Sequence, residues 1–222
     1  FGTMKKIAQI MDTDSEPDGG EPVPEVCADI EFDNVSFAYA GRQDVIKNLS
    51  VKIPMGKVTA VIGGNGAGKS TLFKLLLRLY EPKSGEIRFG GDGIGKYSLT
   101  DWRDRFAVVS QRNPLIGGTV RENIAYGQGQ CLSIARAMLR NADYLLLDEA
   151  TSNLDVVSEA EVTGAMDELM RDKTTIMIAH NYAATRNADY IIVMKDGAVE
   201  AAGTPDELLK TNEYYRMFVK TL

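Results

Sequence analysis

Between Thr59 and Leu72 the chain reads Thr-Ala-Val-Ile-Gly-Gly-Asn-Gly-Ala-Gly-Lys-Ser-Thr-Leu. An apolar run of strand type enters G-x-x-x-x-G-K-S, Gly63 to Ser70, and leaves it as a helical pattern. Glycines at 63, 64, 66 and 68 let the backbone take φ values that other residues resist. Successive N–H groups from Gly63 through Asn65 and Ala67 to Gly68 can then turn inward on one polyphosphate. The following helix adds its N-terminal partial positive charge, Lys69 can reach the outer phosphates, and the Ser70 hydroxyl is placed to ligate Mg²⁺. A chance Gly-rich turn does not account for strand, loop, G-K-S and helix in this order. The spacing therefore predicts a nucleotide-binding loop.

At 222 residues the chain suits one domain with a full core, or a domain with an appendage. No apolar run approaches the roughly 20 residues that span a bilayer. A net charge of −6 leaves no general basic footprint, so no nucleic-acid partner is expected. Cys27 and Cys131 are expected as free thiols of a reducing compartment, behaving as small buried hydrophobes. The chain begins at Phe1 with no secretory pattern after it, and is expected to be a piece of something longer.

Met4, Ile7, Ile10 and Met11 recur at helical spacing, and Asp12 to Glu25 is acidic and rich in Pro and Gly. Residues 1–25 are thus expected to be a connection and linker, and residues 26–222 the domain. From Ile30 to Tyr39 the pattern alternates, with Val35, Phe37 and Tyr39 on one face. Leu49 to Ile53 reads as a second strand, and a third leads into the loop. In the helix that follows, Leu72, Leu75, Leu76 and Leu79 form an apolar stripe expected to face the core. Strand-like runs then alternate with helical ones: Glu86 to Phe89, Phe106 to Ser110, Tyr144 to Leu147, Thr174 to Ile178 and Tyr190 to Met194. This alternation predicts an α/β domain with a largely parallel central sheet flanked by helices. Asp196-Gly197 marks a hairpin, and Thr204-Pro205-Asp206-Glu207 is a capping box that starts a helix.

Leu145-Leu146-Leu147 ends in Asp148-Glu149, two carboxylates at the C-terminal end of a buried-looking strand. Asp148 suits a water on Mg²⁺, and Glu149 can polarise the water that attacks a γ-phosphate. Gln111 follows Ala107 to Ser110, and His180, the sole histidine, follows Ile176 to Ala179. Ligands of open α/β sheets bind beyond the carboxyl ends of the strands, so the loop, Gln111, Asp148, Glu149 and His180 can converge on one nucleotide. Singly, Gln111 reads equally as a loop amide and His180 as a hydrogen-bonded structural residue. Their joint placement favours function.

With these motifs in place, nearly the whole chain resembles the nucleotide-binding domains of ABC transporters, most closely those of exporters. Gly63 to Thr71 resembles the Walker A loop, Gln111 the Q-loop, Tyr144 to Glu149 the Walker B strand, Ser152-Asn-Leu-Asp155 the D-loop, and Ile178-Ala-His180 the switch histidine. The resemblance implies a P-loop NTPase core with an added antiparallel β subdomain. It implies ATP and Mg²⁺ as ligands, Thr71 within the binding loop, and Gln111 among the metal-site residues beside Ser70 and Asp148. It assigns Tyr39 to the aromatic position that stacks on adenine, with packing against Phe37 as the competing reading. It further implies a transmembrane domain of the same transporter, a second nucleotide-binding domain, and a location on the cytoplasmic face of a membrane.

One stretch departs from the family. Arg121 to Gly127 resembles the segment after the Q-loop but runs straight into Gln128-Gly-Gln130 and the helix-like Cys131 to Met138. The helical subdomain and most of the Leu-Ser-Gly-Gly-Gln signature are missing from the chain, with Gln128, alone or together with Gly127, as the remnant. Either a segment is deleted between Gly127 and Gln128, or the sequence joins two sides of a gap. The gap is the expectation, because an engineered deletion would more naturally spare the signature. The leading reading is the ATP-hydrolysing part of an exporter. A non-hydrolysing regulatory module of an asymmetric pair and a soluble non-transport ATPase are its rivals.

Overall fold

The computed structural model describes Glu16 and residues 19–110, 142–148, 164 and 166–220. Its frame is a six-stranded sheet centred on β3 (Val58–Gly63), with β8 (Thr174–Ile178), β7 (Tyr144–Asp148) and β6 (Phe106–Ser110) on one side. On the other side lie β9 (Tyr190–Lys195) and β10 (Ala198–Gly203). Every pairing is parallel except the β9–β10 hairpin at the edge. The sequence dictates this arrangement. Thr59 to Gly63 is buried throughout, as a strand covered on both faces must be. The hairpin turns at Asp196 and Gly197, both at positive φ, as the Asp-Gly pair predicts.

A second, antiparallel sheet has the order β2–β1–β4–β5, formed by β1 (Ile30–Ala38), β2 (Asp44–Ile53), β4 (Ser84–Phe89) and β5 (Asp92–Gly93). Five helices are labelled: α1 (Lys69–Leu76), α2 (Leu99–Asp104), α3 (Tyr182–Thr185), α4 (Pro205–Thr211) and α5 (Glu213–Val219). One core joins the antiparallel sheet to α1 and to Val61, Ile176, Ile178 and Ile192 of the parallel sheet. A second core takes the opposite face, with Ala60, Ile62, Leu145, Met177 and Ile191 against Leu208 and Tyr215. The period-two alternation of β3 thus feeds two cores. The α/β class with a mostly parallel sheet and an antiparallel subdomain is as expected. The capping box also forms, with Thr204 accepting from Glu207 N–H and Glu207 accepting from Thr204 N–H.

β1 does not alternate in one phase. Ile30 and Phe32 are buried, and so are Val35 and Phe37, because an irregular register at Asn34 (φ 50°) inserts one residue between the two sets. Asn48 (φ 45°) plays the same part in β2. Two serines steady these Asn residues: Ser50 Oγ accepts from Asn34 N–H at 2.9 Å, and Ser36 Oγ from Asn48 N–H at 2.9 Å.

The expected stripe of α1 stops early. Arg78 takes a left-handed φ of 51°, and Arg78 N–H and Leu79 N–H turn back onto Leu75 O and Lys74 O at 3.0 and 2.9 Å. Leu79, expected in the core, is therefore 49% exposed. Cys27, expected to be buried, is exposed as well, because the chain reaches its first buried strand position only at Ile30. Cys131 lies outside the described residues. The described part of the stretch before Val26 is bonded to the domain. Glu21 N–H donates to Lys96 O and Ser98 N–H to Glu21 O, each at 2.8 Å, and Val23 packs against the first core.

Trp102, Phe106, Phe89 and Tyr144 meet in mutual ring contacts where the two sheets join. The Tyr144 hydroxyl leaves this cluster to donate to Ala28 O (2.6 Å) and accept from Ala28 N–H (2.9 Å). Burial pushes its phenol up to about 12, so it remains a neutral donor. Tyr144→Phe is expected to cost about 1–2 kcal/mol, because both backbone groups of Ala28 lose their partner. Urea unfolding of the two proteins measures it, and equal midpoints would show that the clamp contributes nothing.

Candidate functional site

The loop between β3 and α1 is shaped by contacts its sequence only partly announces. Gly63 has φ 150°, and a Cβ there would lie 2.2 Å from Met194 O of β9. Gly68, at φ 101°, is the N-cap of α1, and its Cβ would lie 2.7 Å from Ile46 Cδ1. Both positions require glycine. Gly64 differs from expectation: its φ is not positive, and a Cβ there would meet nothing within 4 Å. It contributes its carbonyl, which accepts from Ala67 N–H at 3.2 Å and from Lys69 Nζ at 3.0 Å. Lys69 also donates to Gly63 O at 2.9 Å and is only 6% exposed.

The first turn of α1 holds no acidic residue, and no side chain caps it. The first N–H groups of a helix point out of its N-terminus, and together with the enclosed Lys69 ammonium they suit this end of α1 to an anion. Gly64, Asn65 and Gly66 are exposed, as is the Ser70 side chain. An open cleft of about 380 Å³ borders the loop from Gly64 to Ala67, with Met194, Asp196 and Tyr214 on its other walls.

The parallel register sets the remaining residues. Ser110 pairs with Asp148, Asp148 with Ile178, and Ile178 with Val61. Four strands therefore reach their carboxyl ends along one row. Ala179 N–H donates to Val61 O at 3.2 Å, so the chain after β8 stays beside β3 on its way to His180. His180 is exposed and Asp148 half-buried at this edge. Gln111 and Glu149 lie outside the described residues, although the strands that precede them end on this row. From β3 the chain runs on to distant β6, whereas β8 leads across β3 to β9. The adjacent strands β3 and β8 thus send their connections in opposite directions, which opens a crevice beside the loop.

Tyr39 stands one residue beyond β1. Its hydroxyl is 3.1 Å from Thr71 Oγ1, which ties it to α1. Its ring packs edge-on with Phe37 (4.9 Å between centroids) and with Tyr80 (5.2 Å). Lys74 Nζ lies 5.4 Å from the ring centroid and donates to the hydroxyl at 3.4 Å. The structure therefore gives Tyr39 the packing against Phe37 that the competing reading expects, and adds Tyr80 to it. Sequence reasoning did not find Lys74 or Tyr80, since each meets Tyr39 only across elements.

Comparison with known proteins bears on what this site belongs to. The ABC transporter family profile matches residues 46–125. ATP-dependent lipid A-core flippases of Escherichia coli K12 and Shigella flexneri are each 35% identical to the chain over 99% of its length and 46% of theirs. A bacterial Atm1-family ABC exporter solved with ATP bound superimposes with a TM-score of 0.81, at 26% identity, over 97% of this chain and 46% of that one. The chain carries an ABC transporter domain. It spans about half the length of the curated relatives it matches. The ABC domain is of the exporter type and its fold is that of an ATP-binding domain, as the resemblance implied. Among its described residues no helix is long and apolar enough to cross a membrane.

The glycines of the ABC domain's loop divide into two kinds. Gly63→Ala is expected to lower the unfolding midpoint and abolish ATP binding, because a methyl group cannot share space with Met194 O. Gly64→Ala should leave the midpoint in place. Thermal unfolding with and without ATP separates the two, and equal damage would show that Gly64 needs its glycine for reasons other than φ or space.

Proposed function

We propose that the chain is the ATP-hydrolysing part of a membrane exporter, and that binding of Mg·ATP closes it against a second such domain. The observation that carries this reading is the row of strand ends: one register brings the phosphate loop of β3, Asp148 of β7 and the chain leading to His180 to a single edge. In this reading the N–H groups from Gly63 to Thr71 and Lys69 bind the phosphates. Lys69 exchanges its present acceptors, Gly63 O and Gly64 O, for phosphate oxygens.

Ser70 and Asp148 are hard oxygen donors of the kind Mg²⁺ takes, and with Gln111 they are the residues that would hold it. Bound there, the ion would offset phosphate charge. Glu149 orients and polarises the attacking water, while Gln111 and His180 sense the γ-phosphate. Tyr39 stacks on adenine, contributing about 1 kcal/mol, or roughly fivefold in affinity.

The alignment to the flippases runs over 266 positions, against 222 residues in this chain, so the relatives carry residues with no counterpart here. We place the main difference between Gly127 and Gln128. The full domain then supplies the helical subdomain and signature, which complete the site of a partner domain on the cytoplasmic side of the membrane. Losing even one preorganised donor to a transition state costs about 10²–10³ in rate. The chain as it stands should therefore bind Mg·ATP and turn it over very slowly.

Two measurements test this. Titration with a fluorescent ATP analogue should saturate for the parent and fail for Lys69→Ala. Binding that survives the substitution would remove the loop from the reading. In the complete transporter, Glu149→Gln should retain ATP binding and lose phosphate release, and unchanged turnover would take Glu149 out of the role given to it.

A further inference from the structure

The carboxyl end of α1 is held by an unusual set of partners. The helix closes on Arg78, a left-handed residue that is not glycine, and its final carbonyls are claimed by side chains from α2. Trp102 Nε1 donates to Leu76 O at 2.7 Å, Arg103 Nε to Leu77 O at 2.9 Å, and Arg103 Nη2 to Arg78 O at 2.9 Å. Arg78 Nη1 reaches back to Tyr97 O at 2.7 Å. The guanidinium also places positive charge at the negative end of the helix dipole.

The opposite side of the Arg103 fork faces the N-terminal stretch. Its Nη2 donates to Glu16 Oε1 at 3.0 Å and its Nη1 to the other carboxylate oxygen. Nearby, Glu21 pairs with the backbone at Lys96 and Ser98. Gly20 runs so close to Tyr97 that a Cβ would lie 2.6 Å from the Tyr97 carbonyl carbon. The N-terminal stretch thus touches the loop and helix that grip the end of α1.

We propose that Arg103 is a positioning residue for the phosphate loop, and that through Glu16 and Glu21 it couples the nucleotide site to the stretch preceding the domain. The proposal rests on the nucleotide-binding reading above. α1 is about 12 Å long at 1.5 Å per residue and moves as a rod. A shift at Leu77 is therefore felt at Gly68 and Lys69. The Glu16 side chain is 58% exposed, so its pair with Arg103 contributes little to stability. Its effect is directional, fixing the plane of the fork that grips Leu77 and Arg78. If that stretch is the connection to a membrane domain, its position is reported to the loop independently of the strand-end edge.

Coupling between two sites is reciprocal, so the test runs in both directions. In the whole chain, saturating ATP analogue should slow hydrogen exchange at the Glu21 and Ser98 amides. Arg103→Lys keeps the charge but cannot hold both carbonyls and Glu16. It should weaken analogue binding by about fivefold or more and remove that protection. Glu16→Gln, at an exposed position, should leave the unfolding midpoint unchanged and reduce the protection. Parent-like affinity in Arg103→Lys, or exchange at Glu21 and Ser98 indifferent to the analogue, overturns the coupling while leaving the nucleotide site intact. A parent chain that binds no analogue overturns the nucleotide reading, and the coupling falls with it.

Discussion

β3 is hydrogen-bonded on both sides, to β8 through Val58–Val61 and to β9 through Thr59–Gly63, and the loop that follows it and the row of strand ends beside it depend on that double pairing. A strand held by two parallel neighbours cannot slip by a residue without turning two cores inside out, because Val61 serves one core and Ala60 and Ile62 the other. Its carboxyl end is therefore a fixed point. Gly63 passes Met194 O at a distance no side chain allows, and the chain leaves the sheet there, in a direction set by β9 as well as by its own glycines.

Around this point the two sheets have different tasks. The parallel sheet aligns strand ends, and the antiparallel sheet covers α1 and carries Tyr39 to Thr71. They meet at the hairpin, where Lys47 N–H donates to Gly197 O at 2.8 Å, and at the aromatic cluster of Phe89, Trp102, Phe106 and Tyr144. The bulges at Asn34 and Asn48 let β1 and β2 bend between these contacts, each held by a serine from the neighbouring strand. α1 is consequently gripped along its length: packing beneath, Ile46 against its N-cap, and Trp102 and Arg103 at its final turn.

Much of this was legible in the sequence because its physics is local. Glycine spacing and the G-K-S triplet specified the loop, apolar runs specified the parallel strands, Asp196-Gly197 specified the hairpin, and Thr204 to Glu207 specified a capping box that forms as read. Where the reading missed, a tertiary contact had overridden a local preference. The stripe through Leu79 is helical in pattern, yet the helix ends at Leu76, where its last carbonyls meet Trp102 and Arg103 from a distant helix. A continuous alternation in β1 ignored the extra residue at Asn34, which no periodicity reveals. Gly64 looked like a conformational glycine and serves instead through its carbonyl.

The sequence by itself determined which groups this domain holds: the phosphate loop, Asp148 and His180 at strand ends that an α/β order places on one edge of a sheet, and an aromatic at Tyr39. Those follow from backbone chemistry and from patterns a few residues long. Only the tertiary structure decided how the groups are aimed. The row from Ser110 to Val61 is a matter of register between strands far apart in sequence. The ring contacts of Lys74 and Tyr80 with Tyr39, and the grip of Arg103 on the end of α1 and on Glu16, join side chains with no local relation to one another. The physical reason is range: a turn or a cap is settled by neighbours along the chain, whereas register and close approach are settled by what the completed core allows.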